Sequence, residues 1–557
     1  MASVVGKKRG GATYYYLVES ARVQGRPRIV SQEYLGTAGE LAAAMGGGGL
    51  GLPDRVQHKD FGAVAAGWGL LEDLGVASII GEVTGTRPPG QPLPAGTYLV
   101  LAALNRLVAP RSKLAFADWW RTTAAPRFAR IPATVCDHRR FWDAMHAVTA
   151  DHLAEVSRRV ALRAVEVFGL DCPSVALDMT SFAAFIATGN GKAPIAQRGK
   201  ARQKRSDLRL AGLGLVVTRD GGIPLTWHAY PGDRPDVTQF PDMISQLKGQ
   251  YEAVCAATGI PAGAAGMTVV SGAGQNSGAS FSHLASAGLH YIGSVPASDC
   301  PDLTALPASV RTLVDKDRFG GLTACGARRT VYGGERRAIL THSPELRDAQ
   351  AAGSGGTTLA KAGKKPGELA ATLARGKTRR GKDKVEAEIA AIHQEALGPK
   401  DLRLSWRIDP TARAGLEEEI FGKHVLITSH DDWPAAEAVA GYRSQSGAGF
   451  SFRQMKDTRV VSFSPMFHWT GHNIRVHVFT CVLALQAAHL MRLKARRAGL
   501  DLSVRALLGE LGGISETVLL YQGGKGRPRA HRMLTETTPV QDKLSSIFGL
   551  ARHAPRR

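Results

Sequence analysis

The sequence predicts a mixed α/β protein whose core sheet is interrupted by a β-rich segment. Three textures predict it. Residues 12–36 alternate apolar and polar side chains. Residues 61–168 repeat Ala and Leu at three-to-four spacing. From Pro173 a hairpin, a helix and two short apolar strands follow in that order.

The elements are justified in turn. ATYYYLVESARVQGRPRIVSQEYLG has strand alternation on both sides of a Gln24-Gly25 turn, which reads as a β-hairpin. The glycine run from Gly46 to Gly51 reads as a linker. WGLLEDLGVASII, TYLVLAALNRLV and HLAEVSRRVALRAVEVF read as packed helices and as a candidate DNA-binding or dimerisation layer. SVALDMTSF is a short buried strand ending in an acid. LAGLGLVVTRDGGIPLTWHAYPG is two strands joined at Asp220-Gly221-Gly222. TQFPDMISQLKGQYEAVCAATG is helical, and MTVVSGAG and HYIGSVP are strands. Between Asp299 and Pro434, short strands (RRTVYGGERRAILTHS, LRLSWRID, KHVLITSH) surround the charged stretch Glu345 to Gln394, which reads as a solvated helix pair. Helix returns from Pro434 through Arg497. The boundaries expected are 1–50 hairpin and linker, 51–171 helical region, 172–298 first part of the core, 299–433 β-rich insertion, 434–499 second part of the core, and 500–557 C-terminal helix and basic tail.

Charge narrows the partner. The 557 residues carry 70 Lys+Arg against 48 Asp+Glu, a formal net charge of +22, so a polyanion is expected. Nucleic acid comes first, because neutralising phosphates releases counterions. A membrane is not expected: the basic start MASVVGKKRGG has no apolar run behind it, and Val476 to Met491 is short and holds His477, Gln486 and His489. The six cysteines are scattered with no C-x-x-C pair, which fits a reducing cytoplasm rather than a zinc ribbon or disulfide scaffold.

Cutting a phosphodiester calls for carboxylates converging from separate elements on Mg²⁺. Asp178, at the end of SVALD, fits the first such position; it reads equally as an acid capping the next turn. Downstream, Lys192, Arg198, Lys200, Arg202, Lys204, Arg205 and Arg209 stand against one acid, Asp207, either as a phosphate-contacting loop or as a solvated face.

The pieces LDMTSF, IAQRGKARQKRSDLRLAGLGLVVTRDGGIPL, YPGDRPDVTQF, YRSQSGAGFSFRQMKD and FHWTGHNIRVHVFTCVLALQ together resemble a bacterial insertion-sequence DDE transposase, over nearly the whole chain. The resemblance implies an RNase H-like core, a β-rich insertion, and a helix bearing a Tyr-Arg-Glu-Lys signature. It also implies metal-dependent DNA cleavage and strand transfer with Mg²⁺ or Mn²⁺. The partners implied are double-stranded DNA (terminal inverted repeats and target) and a second copy in a homodimer on DNA. The location implied is cytoplasmic and nucleoid-associated.

Two of the three implied carboxylates are absent. Aligning Gly274-Gln275-Asn276-Ser277 with the family's Gly-x-x-Ser-like turn puts Gly272 at the second acid. Tyr442 and Lys456 match the helix signature at the right spacing, with Gln445 at the Arg position and Gly449 at the Glu position. Asp178 is then the retained metal ligand. Arg198, Lys200, Lys204, Arg205, Arg209, Tyr442, Arg453 and Lys456 are the candidate DNA contacts. The expected function is a transposase impaired in cleavage; the alternative is a non-enzymatic DNA-binding derivative, a repressor or relic. Asp207, Asp233, Asp236, Asp299 and Asp457 are the remaining acids considered as substitutes. Trp469 reads either as a buried helix-start aromatic or as a platform for an unpaired base.

Overall fold

The computed structural model describes residues 2–9, 12–23, 26–37, 53–85, 90–199, 207–258, 266–353, 410–521 and 529–556. The Gln24-Gly25 turn, the Gly46 to Gly51 linker, LRLSWRID and most of the charged stretch after Glu345 lie outside them. The chain forms two compact units, Met1–Ala66 with Asp118–Ala133 and Ala506–Arg557, and Gly67–Ala117 with Thr134–Arg505.

In the first unit, β1 (Ala2–Arg9), β2 (Ala12–Val23) and β3 (Arg26–Thr37) make an antiparallel sheet. Sequence alternation predicts the β2–β3 pair. It misses β1, whose basic residues mask a strand pattern. Lys7 bridges the sheet, donating to Gln32 (2.8 Å) and lying over the Tyr16 ring (5.1 Å). A second sheet joins β4 (Arg55–Asp60) to the C-terminal strands β14 (Ser515–Tyr521) and β15 (Arg529–Leu534). Its buried acid, Glu516, is satisfied by Arg127 and by Arg532 (2.9 Å), as a charge removed from water must be.

The second unit is built on nine strands: β5 (Ser174–Ala184), β6 (Arg209–Thr218), β7 (Pro224–Pro231), β8 (Thr268–Ser271), β9 (His290–Val295), β10 (Thr312–Leu313), β11 (Thr323–Val331), β12 (Gly334–His342) and β13 (Lys423–Thr428). They lie in the order β10-β11-β12-β13-β9-β8-β5-β6-β7. β5, β6 and β7 form an antiparallel meander; β5, β8 and β9 run parallel. This is a mixed α/β fold.

β6 reads LAGLGLVV because its two glycines admit large neighbours. A Cβ on Gly212 would collide with the Tyr230 ring, and one on Gly214 with the sulfur of Met243. Strands β11 and β12 are joined by Tyr332-Gly333, both at positive φ (49° and 74°), the two-residue turn that suits hairpin twist.

The strands of 299–433 are not set apart from the core: β13 pairs antiparallel with β9, so β10–β13 lengthen the same sheet. The helix Gly471–Arg497, which contains Val476 to Met491, is the one described helix long and apolar enough to cross a membrane, and 94% of its most apolar 18-residue stretch is buried within the protein. Being enclosed explains why it is apolar all round.

Candidate functional site

β5 and β8 set the geometry. Their parallel register pairs Leu177 with Ser271, so Asp178 stands beside Gly272, the first residue after β8; Asp178 itself is not at a strand end, because β5 stays paired with β6 through to Ala184. Asp178 is half-buried, and its Oδ1 accepts the Met179 N–H (2.8 Å). On its other side β6 places Leu215 opposite. Gly272 begins a turn held by Asn276, which hydrogen-bonds Ser271 Oγ (2.9 Å) and donates to the Ser294 carbonyl (2.7 Å). Ser277 then caps the helix Gly278–Ser286.

Gly272 has ordinary extended backbone (φ −73°, ψ 163°), so no conformational demand calls for glycine there. Space does: an added Cβ would stand 2.5 Å from Gln445 Nε2 and 3.2 Å from Gln275 Oε1. Two side-chain amides crowd the place where a second carboxylate would project.

The sequence reading puts Tyr442 to Lys456 on one helix. The structure has two, Ala435–Ser444 and Ser446–Met455, meeting at Gln445. The segment YRSQSGAGF is rich in Ser and Gly, which hold helix weakly, so the break falls there. The second helix packs over β5 and β6. Spacings of four, three and four put Gln445, Gly449, Phe452 and Lys456 on one face. On β5, alternation puts Asp178, Thr180 and Phe182 on one face. The two faces meet. Lys456 Nζ donates to Thr180 Oγ1 (2.9 Å) and lies 5.5 Å from the Phe182 ring, and Phe452 lies 6.4 Å from that ring. Gly449 therefore sits between Gln445, beside Gly272, and the contacts to Thr180 and Phe182. A Cβ on Gly449 meets nothing within 4 Å.

Asp178 and Gly272 thus stand on adjacent strands and Gly449 lies on the helix packed over β5, with a single carboxylate among the three. No group of three His, Cys, Asp or Glu among the described residues could hold a metal ion. The donor set does not fit a divalent-metal pair. The other acids are engaged or exposed elsewhere. Asp236 accepts from the Tyr230 hydroxyl (2.6 Å), Asp457 accepts from the Arg459 N–H (2.8 Å), and Asp207, Asp233 and Asp299 are exposed.

The basic candidates separate. Arg198 and Arg453 are exposed. Arg209 donates to the Asn190 carbonyl (2.6 Å) and braces the loop after β5. Lys456 is tied to Thr180. Tyr442 packs on His424 (5.0 Å) and against a cluster containing Phe319 and Leu426; burial raises its phenol pKa. Lys200, Lys204 and Arg205 lie outside the described residues.

Sequence reasoning offered Trp469 as a platform for a base but missed Phe185 and Phe467. Phe185, Phe467 and Trp469 are 43%, 59% and 52% exposed. They are held by backbone rather than by their rings: Phe185 N–H donates to the Met466 carbonyl (3.1 Å), and Asn190 donates to the Trp469 carbonyl (2.7 Å). Phe185 and Phe467 lie 5.8 Å apart. Of the two readings of Trp469, the buried one is overturned; its neighbour His468 turns inward instead, onto His477 (5.0 Å). The spacing of Phe467 and Trp469, two apart before a helix cap at Thr470, was the available signal.

No family model matches this sequence, and no curated protein matches it. Among solved structures, the chain is similar to a piggyBac transposase synaptic complex with hairpin DNA. The identity is 7% and the TM-score 0.37, over 83% of this chain and 82% of that one.

Proposed function

We propose that this chain is a DNA-binding protein of the insertion-sequence transposase type, with an RNase H-like core that lacks the means to cleave. What supports the core assignment is the β5–β6–β7 meander continued by parallel β8 and β9, with a helix across β5. The observation that carries the loss of cleavage is the juxtaposition of Asp178 with Gly272, where the Gln445 amide takes up the space a second acid needs. One carboxylate leaves the charge of a divalent pair uncompensated, so no metal-assisted step is assigned.

DNA binding rests on a different set of residues. The +22 charge supplies phosphate affinity. Exposed Arg198 and Arg453 are the described contacts, and Phe185, Phe467 and Trp469 offer faces on which unstacked bases rest. The test is fluorescence anisotropy with duplexes copied from the DNA flanking the gene. Expected is end-preferring binding whose affinity falls steeply with salt, by about 0.9 in log–log slope per phosphate contacted. Salt-independent binding, or none, overturns the proposal. Tighter binding to RNA than to duplex DNA overturns it in favour of an RNA-binding use of the same fold.

A further inference from the structure

A cavity of about 600 Å³ opens at the outer edge of β7, well inside the size range of small-molecule sites. Its floor is residues 225–229 of β7, the edge strand of the sheet among the described residues. Its walls are the helices Ala150–Phe168 and Phe240–Thr258, and Arg475 reaches it from the helix Gly471–Arg497. It is separate from the Asp178 site, which lies where β5 adjoins β8.

The lining holds two acids, Asp151 and Glu155, against two arginines, Arg158 and Arg475, but they are unequally engaged, and Asp151 is exposed. Glu155 is consumed by Arg158 (2.7 Å) and Arg159 (2.7 Å). Arg475 has no hydrogen bond or ion pair among the described residues, and it is half-buried, with burial lowering its pKa. A guanidinium drawn out of water without a partner is a cost that an anion removes. The rest of the lining suits a flat body. Trp227 spends its indole N–H on Ser157 (2.9 Å), which fixes the ring, and Leu153 and Leu225 flank it. His228 and Gln246, 3.3 Å apart, supply a polar edge, and Asp151 supplies an acceptor.

We infer that this cavity binds a nucleoside monophosphate, with the phosphate on Arg475 and the base against Trp227. The inference stands apart from the DNA-binding proposal and concerns a soluble small molecule.

The test is thermal unfolding of the full chain with AMP, adenosine and inorganic phosphate, each titrated alone. AMP is expected to raise the unfolding temperature with concentration, and adenosine and phosphate to do so far less. R475Q is expected to weaken AMP about tenfold or more, the loss of a charge-assisted pair. R475K, which keeps the charge but loses the fork, should fall between, and it serves if R475Q does not fold. An AMP effect unchanged in both variants, or an AMP effect no larger than that of phosphate alone, overturns the inference. So does no response to AMP in the unmodified protein.

Discussion

The side-chain amide of Gln445 stands 2.5 Å from where a Cβ on Gly272 would be. Asp178, within the neighbouring strand, stands beside that same glycine. The glutamine and the retained aspartate therefore flank a position with no side chain of its own, and consequences follow for stability, metal affinity and cleavage.

Gly272→Asp alone is expected to destabilise. The new side chain must push aside the flexible ends of Gln445 and Gln275, so the cost stays at or below the lower end of the ~1–3 kcal/mol of core overpacking. Urea unfolding of the single variant and of Gly272→Asp with Gln445→Ala measures it. The second substitution should recover most of the loss, because the obstructing atom is the end of a flexible side chain.

Gly449 behaves oppositely. Nothing stands within 4 Å of its would-be Cβ, and it lies inside the helix Ser446–Met455. Gly449→Ala should stabilise by roughly 0.5–1 kcal/mol from helix propensity alone. Destabilisation on urea unfolding would show that the backbone there is not helical in solution.

Much of this arrangement was legible in the sequence, and the reasons are local. β8 and β9 are short apolar runs, and the Asp220-Gly221-Gly222 turn announces the β6–β7 pair, whereas β5 runs six residues past Asp178, to Ala184, where a strand ending at that acid was expected. That Gly272 and Gly449 stand at the second and third acid positions is what the family resemblance implies. The role of Gln445 was not legible, because a helix broken at residue 445 aims that side chain at a strand end more than 170 residues earlier in the chain. Nor was the continuation of the sheet through β13: a strand pairing across a long connection leaves no mark in local periodicity. Exposure of Phe467 was equally hidden, and that of Trp469 was left open between two readings, since apolar residues before a helix usually pack.

Restoring the two acids should restore metal affinity in steps. Mg²⁺ or Mn²⁺ should leave the unfolding temperature of the unmodified protein unchanged. The variant Gly272→Asp, Gln445→Ala, Gly449→Glu should be stabilised by either ion, in a manner that Asp178→Asn removes. If the triple variant stays indifferent to metal, the three positions do not form one site.

Acid should weaken the fold through His489. Its Nδ1 lies 2.7 Å from the Gly222 carbonyl oxygen and donates to it; its buried Nε2 has no partner, so a second proton has nowhere to bond. Burial is the main cause that pushes its pKa down from 6.5 to about 4. The neutral ring is the folded form, so its contribution is complete above about pH 6.5. It is lost as pH falls toward 4, by up to roughly 3 kcal/mol. Urea midpoints across that range should fall with acid, and His489→Gln should flatten the slope.

The measurement that bears most directly on the central claim is nicking of supercoiled DNA carrying the gene's own flanking ends, with Mg²⁺ or Mn²⁺ present and then chelated. The account predicts that the purified protein binds these ends and leaves the DNA intact in both conditions. Metal-dependent nicking by the unmodified protein, abolished by Asp178→Asn, would contradict it.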